Sequence, residues 1–176
     1  AITHYQFEAI HPFYDGNGRT GRILNILMLI QSDVLKLPVL YLSGYIVSTK
    51  SQYYRLLREV TSEANWEDWI VYMVNGVEQA ARDAIKLIDE LRTLQDMLES
   101  EIRDAGGIAP VRELAELLLV NPYIRIQNLI DSGLVKRQTA ATWLGKLVTA
   151  GVLAEVRVGR EKIFINTKAL EVLSRK

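Results

Sequence analysis

Cysteine is absent from the chain, which excludes a disulfide scaffold and any thiolate metal site. Histidine is nearly absent too, with 2 residues, so any imidazole chemistry falls to His4 or His11. No long hydrophobic run is present. The most apolar stretch, residues 23–42, is broken by Asn25, Gln31, Asp33, Lys36 and Pro38. A membrane-spanning helix needs about 20 mostly apolar residues in a row, so this stretch reads as buried core and no membrane partner is expected. The first residues lack the basic start and apolar run of a signal peptide. Together with the missing thiols, this makes a cytoplasmic setting the expectation. The chain also lacks an initial methionine and opens in what reads as mid-helix, so it is expected to be a piece of a longer protein.

What is present has an ordinary globular composition, 49% hydrophobic and 24% charged over 176 residues, enough for one large or two small domains. The net charge is zero but unevenly placed. Residues 1–104 carry 10 Lys+Arg against 15 Asp+Glu, and residues 105–176 carry 11 against 6. Opposite nets of −5 and +5 indicate two modules with different surfaces. A mainly α fold is expected, with domains at 1–104 and 105–176.

Thr3–Ile10 reads as the end of a helix and 11–18 as a glycine-marked loop. Residues 19–30 form a helix apolar on nearly every face, hence buried all round. A further helix is expected over 48–62, and one long helix over 66–104. The stripe Val77, Ala81, Ala84, Ile88, Leu91, Leu94 or Gln95, and Leu98 lasts about three heptads. Packing within its own domain is favoured there, with a homodimer seam left open. Gly106-Gly107 ends the helix. Beyond it, helices at 110–120, 123–130 and 137–150 precede two alternating stretches, 152–158 and 162–166, around Gly159-Arg160. The latter is a β-hairpin signal, and the whole order is that of a winged helix-turn-helix.

The chemistry lies in His11-Pro12-Phe13-Tyr14-Asp15-Gly16-Asn17-Gly18-Arg19-Thr20-Gly21-Arg22. Gly16 and Gly18 flank Asn17, and these residue types reach left-handed backbone conformations at low cost. Successive N–H groups can then converge as an anion nest that runs into a helix N-terminus. Arg19 and Arg22, three apart, share a helix face and can grip phosphate oxygens with guanidinium forks. Asp15 offers one carboxylate, which suits Mg²⁺ bound together with phosphates. His11, just outside the cradle, is a proton acceptor near neutral pH. The pattern G-x-G-x-x-G over 16–21 suggests a dinucleotide fold, but no alternating strand precedes it and no acidic residue follows at the required place. A Walker motif is absent.

This segment resembles the Fic family motif H-P-F-x-[D/E]-G-N-G-R-x-x-R, matching every specified position, and the likeness extends over roughly the first 100 residues. It implies a Fic-type helical core that transfers AMP from ATP to a Ser, Thr or Tyr hydroxyl of a target protein. His11 would deprotonate that hydroxyl, Phe13 would anchor the loop in the core, and Asp15 would hold Mg²⁺. Gly16, Asn17, Gly18, Arg19, Thr20, Gly21 and Arg22 would bind the phosphates of ATP. Tyr53 and Tyr54 match a tyrosine pair that helps hold the nucleoside. The C-terminal part is similar to the winged helix appended to some Fic proteins. Protein contact is favoured for it, and DNA binding through Lys136, Arg137, Lys146, Arg157, Arg160 and Lys162 is the lesser alternative. A rival reading makes the chain a DNA-binding or scaffold protein with a regulatory nucleotide site. The family's target-docking flap and inhibitory helix are not found in the chain, so this stretch alone is expected to bind nucleotide but to transfer poorly.

Overall fold

The computed structural model describes residues 1–174. It separates into two compact units, Ala1–Lys86 and Leu87–Lys176. Among the described residues the structure is mainly helical, and no helix is long and apolar enough to cross a membrane.

The first unit contains α1 (Ile2–Ile10), α2 (Asn17–Gln31), α3 (Leu42–Ser48), α4 (Lys50–Glu63) and the start of α5 (Trp66–Ala105). Its core joins Leu42 and Ile46 of α3, Leu56 and Val60 of α4, and Trp69 and Met73 of α5. The helix α3 was not expected. Its stretch lies between Pro38 and the next strong apolar period, and its seven residues are too few to show one. The expectation that α2 is buried all round is corrected: Ile23, Leu27 and Met28 are exposed. The face of α2 that packs is the one carrying Gly21, turned to α1.

The long helix runs 40 residues, about 60 Å at 1.5 Å per residue. Glu67 and Asp68 in its first turn complement the helix dipole. The glycine pair ends it as expected, with Gly106 at φ 71. Packing, however, divides the chain at Lys86/Leu87 rather than at 104/105. The reason is that Leu94, Leu98 and Ile102 belong to the core of the second unit, which takes Leu94 and Leu98 out of any exposed self-association seam.

The second unit continues with α6 (Val111–Val120), β1 (Tyr123–Ile124), α7 (Ile126–Asp131), α8 (Arg137–Thr149), β2 (Ala154–Val158), β3 (Glu161–Ile165) and α9 (Thr167–Ser174). The strands form an antiparallel sheet in the order β1-β3-β2, with Val156 opposite Ile163 and Ile124 opposite Phe164. Residues 123 and 124, expected to be helical, pair with β3 instead. Fully buried Asn166 accounts for α9, which was also not expected. Its Oδ1 accepts from the Ala169 N–H (3.1 Å) and its Nδ2 donates to the Leu118 carbonyl (3.3 Å).

Candidate active site

The loop between α1 and α2 is built by two left-handed residues. His11 (φ 51, ψ 56) ends α1, its N–H donating to the Phe7 carbonyl at 3.0 Å. Gly16 (φ 84, ψ 8) opens α2. Gly18, expected to be left-handed as well, is instead the second residue of α2. The His11 ring is exposed, and its Nδ1 lies 3.4 Å from the Glu8 carbonyl oxygen. The tautomer that donates there leaves Nε2 free to take a proton.

Between these residues the loop is closed by Asn17, which is 2% exposed. Its Oδ1 accepts from the Phe13 N–H at 2.9 Å and its Nδ2 donates to the Phe13 carbonyl at 2.6 Å. The side chain of Asn17 therefore holds the loop, and only its backbone N–H remains for an anion. Phe13 is not a core anchor: half of it is exposed, against the Phe7 ring. Asn17 performs the anchoring that was assigned to Phe13, because a loop this short satisfies its own polar groups before it can reach a core.

The N-terminus of α2 has no side-chain cap, so its first N–H groups are available to an anion. Both guanidiniums lie against it. A Cβ on Gly16 would sit 3.4 Å from Arg19 Nη2, and one on Gly18 would sit 3.2 Å from Arg22 Nη1. Arg22 is half-buried and steadied by Nε donation to Ser43 Oγ at 2.9 Å. Arg19 is exposed and bridges Asp15 at 3.1 Å. Such a surface pair contributes about 0–1 kcal/mol, so a phosphate and a cation can separate it readily. Thr20, expected to meet phosphate, donates its hydroxyl to the Gly16 carbonyl (3.1 Å). Gly21, also expected there, is buried against α1: a Cβ would come within 2.6 Å of Glu8 Oε1 and 3.0 Å of the His4 ring. Its missing side chain admits the close approach of α1.

A buried polar chain crosses the unit beneath the loop. Asn25 Nδ2 donates to His4 Nδ1 (3.1 Å), and His4 Nε2 donates to Tyr53 Oη (2.9 Å). Burial holds the His4 pKa down at about 4, despite the Gly21 backbone hydrogen bond that favours the charged form. Tyr53 is corrected from a nucleoside contact to a core residue. It is 4% exposed, packed against Trp69 and Tyr72, and burial pushes its phenol pKa up. Tyr54, its neighbour, points elsewhere and is half exposed. It lines a cavity of about 350 Å³ between Tyr5 and Glu8 of α1 and Leu57, Arg58 and Thr61 of α4. Sequence reasoning passed over Glu8, Arg58 and Ser43. The first stands one helical turn before His11, which was the available signal; the other two carried none.

Asp15 Oδ1 accepts from the Gly16 N–H at 2.6 Å and Oδ2 from Arg19. Among the described residues no group of three or more His, Asp or Glu side chains could hold a metal ion. One exposed carboxylate fits Mg²⁺ that arrives with phosphate oxygens and retained waters, not a metal held by the protein alone.

Residues 1–29 match the family model for the Fic/DOC family, and residues 94–169 match the model described as protein adenylyltransferase SoFic-like, C-terminal domain. The chain is 42% identical over 96 residues to protein adenylyltransferase fic-1 of Caenorhabditis elegans, covering 54% of this chain and 17% of that one. It is 27% identical over 133 residues to protein adenylyltransferase Fic of Drosophila grimshawi, covering 76% and 26%. A probable protein adenylyltransferase of Aquifex aeolicus is 56% identical over 34 residues, covering 19% and 11%. The matched part thus spans about a quarter or less of the length of these relatives.

Proposed function

With a Fic/DOC segment at residues 1–29 and a SoFic-like C-terminal domain at 94–169 as the premise, we propose that the chain forms part of a protein adenylyltransferase. The reaction is transfer of AMP from ATP to a Ser, Thr or Tyr hydroxyl. The acceptor oxygen bonds to the α-phosphorus, the bond from that phosphorus to the oxygen leading to the β-phosphate breaks, and pyrophosphate leaves. His11 takes the hydroxyl proton. It is exposed at the turn that leads into the phosphate loop, with one ring nitrogen held by the Glu8 carbonyl. The observation that carries the reading is the uncapped N-terminus of α2 with Arg19 and Arg22 laid against Gly16 and Gly18. Two cations beside a positive dipole end are unfavourable, and the loop's one carboxylate, Asp15 on Arg19, offsets only part of that charge, so a further anion is favoured. Phosphates supply that anion, and Tyr54 with its cavity supplies a wall for the base. Asp15 would hold Mg²⁺, which neutralises phosphate charge when bound.

For the second unit we propose a winged helix that contacts protein, within a domain at about 105–176 that also takes in the end of α5. Of the cations that suggested DNA, Lys162 is bridged to Glu155 at 2.8 Å and Lys146 donates to the Gly106 carbonyl. One charge of the six is thus neutralised and a second cation is held to the backbone, which thins the basic surface offered to a polyanion.

The site is tested by calorimetric titration of Mg-ATP into wild type and Arg22→Ala. Losing a charged hydrogen-bond donor costs about 1.5–3 kcal/mol, so affinity should fall by roughly tenfold or more. Equal affinity in the two proteins contradicts the assignment.

A further inference from the structure

The cavity and the α1–α2 loop share one residue that lies outside the motif at residues 11–22, Glu8. Glu8 lines the cavity together with Tyr54 on the opposite helix. The same side chain reaches α2, where a Cβ on Gly21 would lie 2.6 Å from its Oε1 and one on Gly18 would lie 3.9 Å away. Glu8 therefore stands at the junction of the two sites. Its Oε1 is buried without any hydrogen-bond partner. An unmatched buried acceptor costs about 1–3 kcal/mol, more for a charged group. Because the Glu8 side chain is only half-buried and lines the cavity, turning its carboxylate toward a donor there is favoured.

In a nucleotide with its phosphates on α2 and its base on Tyr54, the part between them is the ribose, whose two free hydroxyls are hydrogen-bond donors. We propose that Glu8 is a specificity-determining residue that accepts a hydrogen bond from a ribose hydroxyl and selects ribonucleotides over deoxyribonucleotides. The assignment rests on the reading of the α2 loop as a phosphate site. Burial, opposed by the nearby His11 and Arg22 charges, raises the Glu8 pKa, and a ribose donor would relieve part of that penalty. Arg58 on the facing helix is too exposed to substitute for a fixed acceptor, and as a cation it accepts nothing.

The test is a set of calorimetric titrations with ATP, 2′-deoxy-ATP, 3′-deoxy-ATP and inorganic triphosphate, each with Mg²⁺. Wild type should bind ATP about tenfold or more tightly than one of the two deoxy forms, the range for a hydrogen bond to a charged group. Glu8→Ala should bind ATP and both deoxy forms alike while binding triphosphate at least as tightly as wild type, since a carboxylate near Arg22 is removed. Glu8→Gln preserves the shape at α1–α2 and retains a neutral acceptor, so it should show an intermediate preference; charge-assisted hydrogen bonds are roughly twice as strong as neutral ones. Wild type that binds all three nucleotides equally, or a Glu8→Ala protein that keeps the preference, overturns the Glu8 assignment and leaves the phosphate site standing. Wild type that binds neither ATP nor triphosphate removes the phosphate site, and the Glu8 assignment with it.

Discussion

Asn17 binds both the N–H and the C=O of Phe13 with a single amide side chain, at 2.9 and 2.6 Å. Two part-buried hydrogen bonds from one residue fix the loop that carries His11 and Asp15. Asn17→Ala is expected to cost about 1–3 kcal/mol, because it removes two hydrogen bonds worth about 0.5–1.5 kcal/mol each. Asn17→Asp retains the acceptor and loses the donor, so it should fall between wild type and alanine at neutral pH. Thermal unfolding of the three proteins checks the order. A wild-type melting temperature in Asn17→Ala would show that the loop is held by something else.

Gly21 and Gly145 are both helical glycines with opposite surroundings. A Cβ at Gly21 meets Glu8 Oε1 at 2.6 Å and the His4 ring at 3.0 Å, whereas at Gly145 nothing lies within 4 Å. Alanine favours a helix by up to about 1 kcal/mol over glycine, while overpacking costs typically 1–3 kcal/mol. Gly145→Ala should therefore stabilise and Gly21→Ala should destabilise, as read by denaturant midpoints. The same sign at both positions would contradict the close approach of α1 and α2.

His4 contributes a pH dependence whose sign follows from its lowered pKa. Folded His4 protonates at about 4 and the unfolded side chain near 6.5, so between these values the unfolded state binds more protons. Stability due to His4 is complete above 6.5 and is lost as pH falls toward 4. A full shift of this size corresponds to about 3 kcal/mol at most. Glu8, with its raised pKa, acts in the opposite direction over an overlapping range, so the comparison must remove His4 alone. Stability of wild type minus that of His4→Gln should shrink as pH falls from 7 to 4. A difference that stays constant would mean that His4 is not buried in its neutral form.

The adjacent tyrosines should separate stability from binding. Tyr53→Phe leaves the buried His4 Nε2 without its 2.9 Å partner and should cost about 1–3 kcal/mol, with little change in Mg-ATP affinity. Tyr54→Ala removes a half-exposed ring from the cavity wall and should weaken Mg-ATP with little loss of stability. Melting curves and calorimetry on the same two variants decide it, and a reversal of the two phenotypes would return Tyr53 to the nucleoside.

Much of this arrangement was legible in the residues. The long helix could be read because its apolar period persists over many turns, and the hairpin because Gly159-Arg160 sits between alternating stretches. The candidate site loop stood out because glycines, an asparagine and two arginines crowd into one short stretch. What could not be read was direction. Tyr53 and Tyr54 are adjacent in sequence, and only the packing of α4 on Trp69 sends one inward and the other into the cavity. Gly21 looked like part of a phosphate pattern, since spacing alone does not tell a glycine that admits a ligand from one that admits a helix. Short elements such as α3, of 7 residues, and α9, of 8 residues, were missed because about two helical turns are too few to establish a period.

The central claim is AMP transfer that depends on His11, and the label on the nucleotide tests it directly. The chain, as part of the proposed protein adenylyltransferase, is incubated with Mg²⁺ and a cell lysate in the presence of ATP labelled at either the α- or the γ-phosphate. Protein-bound label should appear from α-labelled ATP and not from γ-labelled ATP. His11→Ala should lower it by about 10²–10⁴-fold, the usual contribution of a general base, while Mg-ATP affinity stays near that of wild type. Label from the γ-phosphate, or undiminished α-label in His11→Ala, would contradict the account.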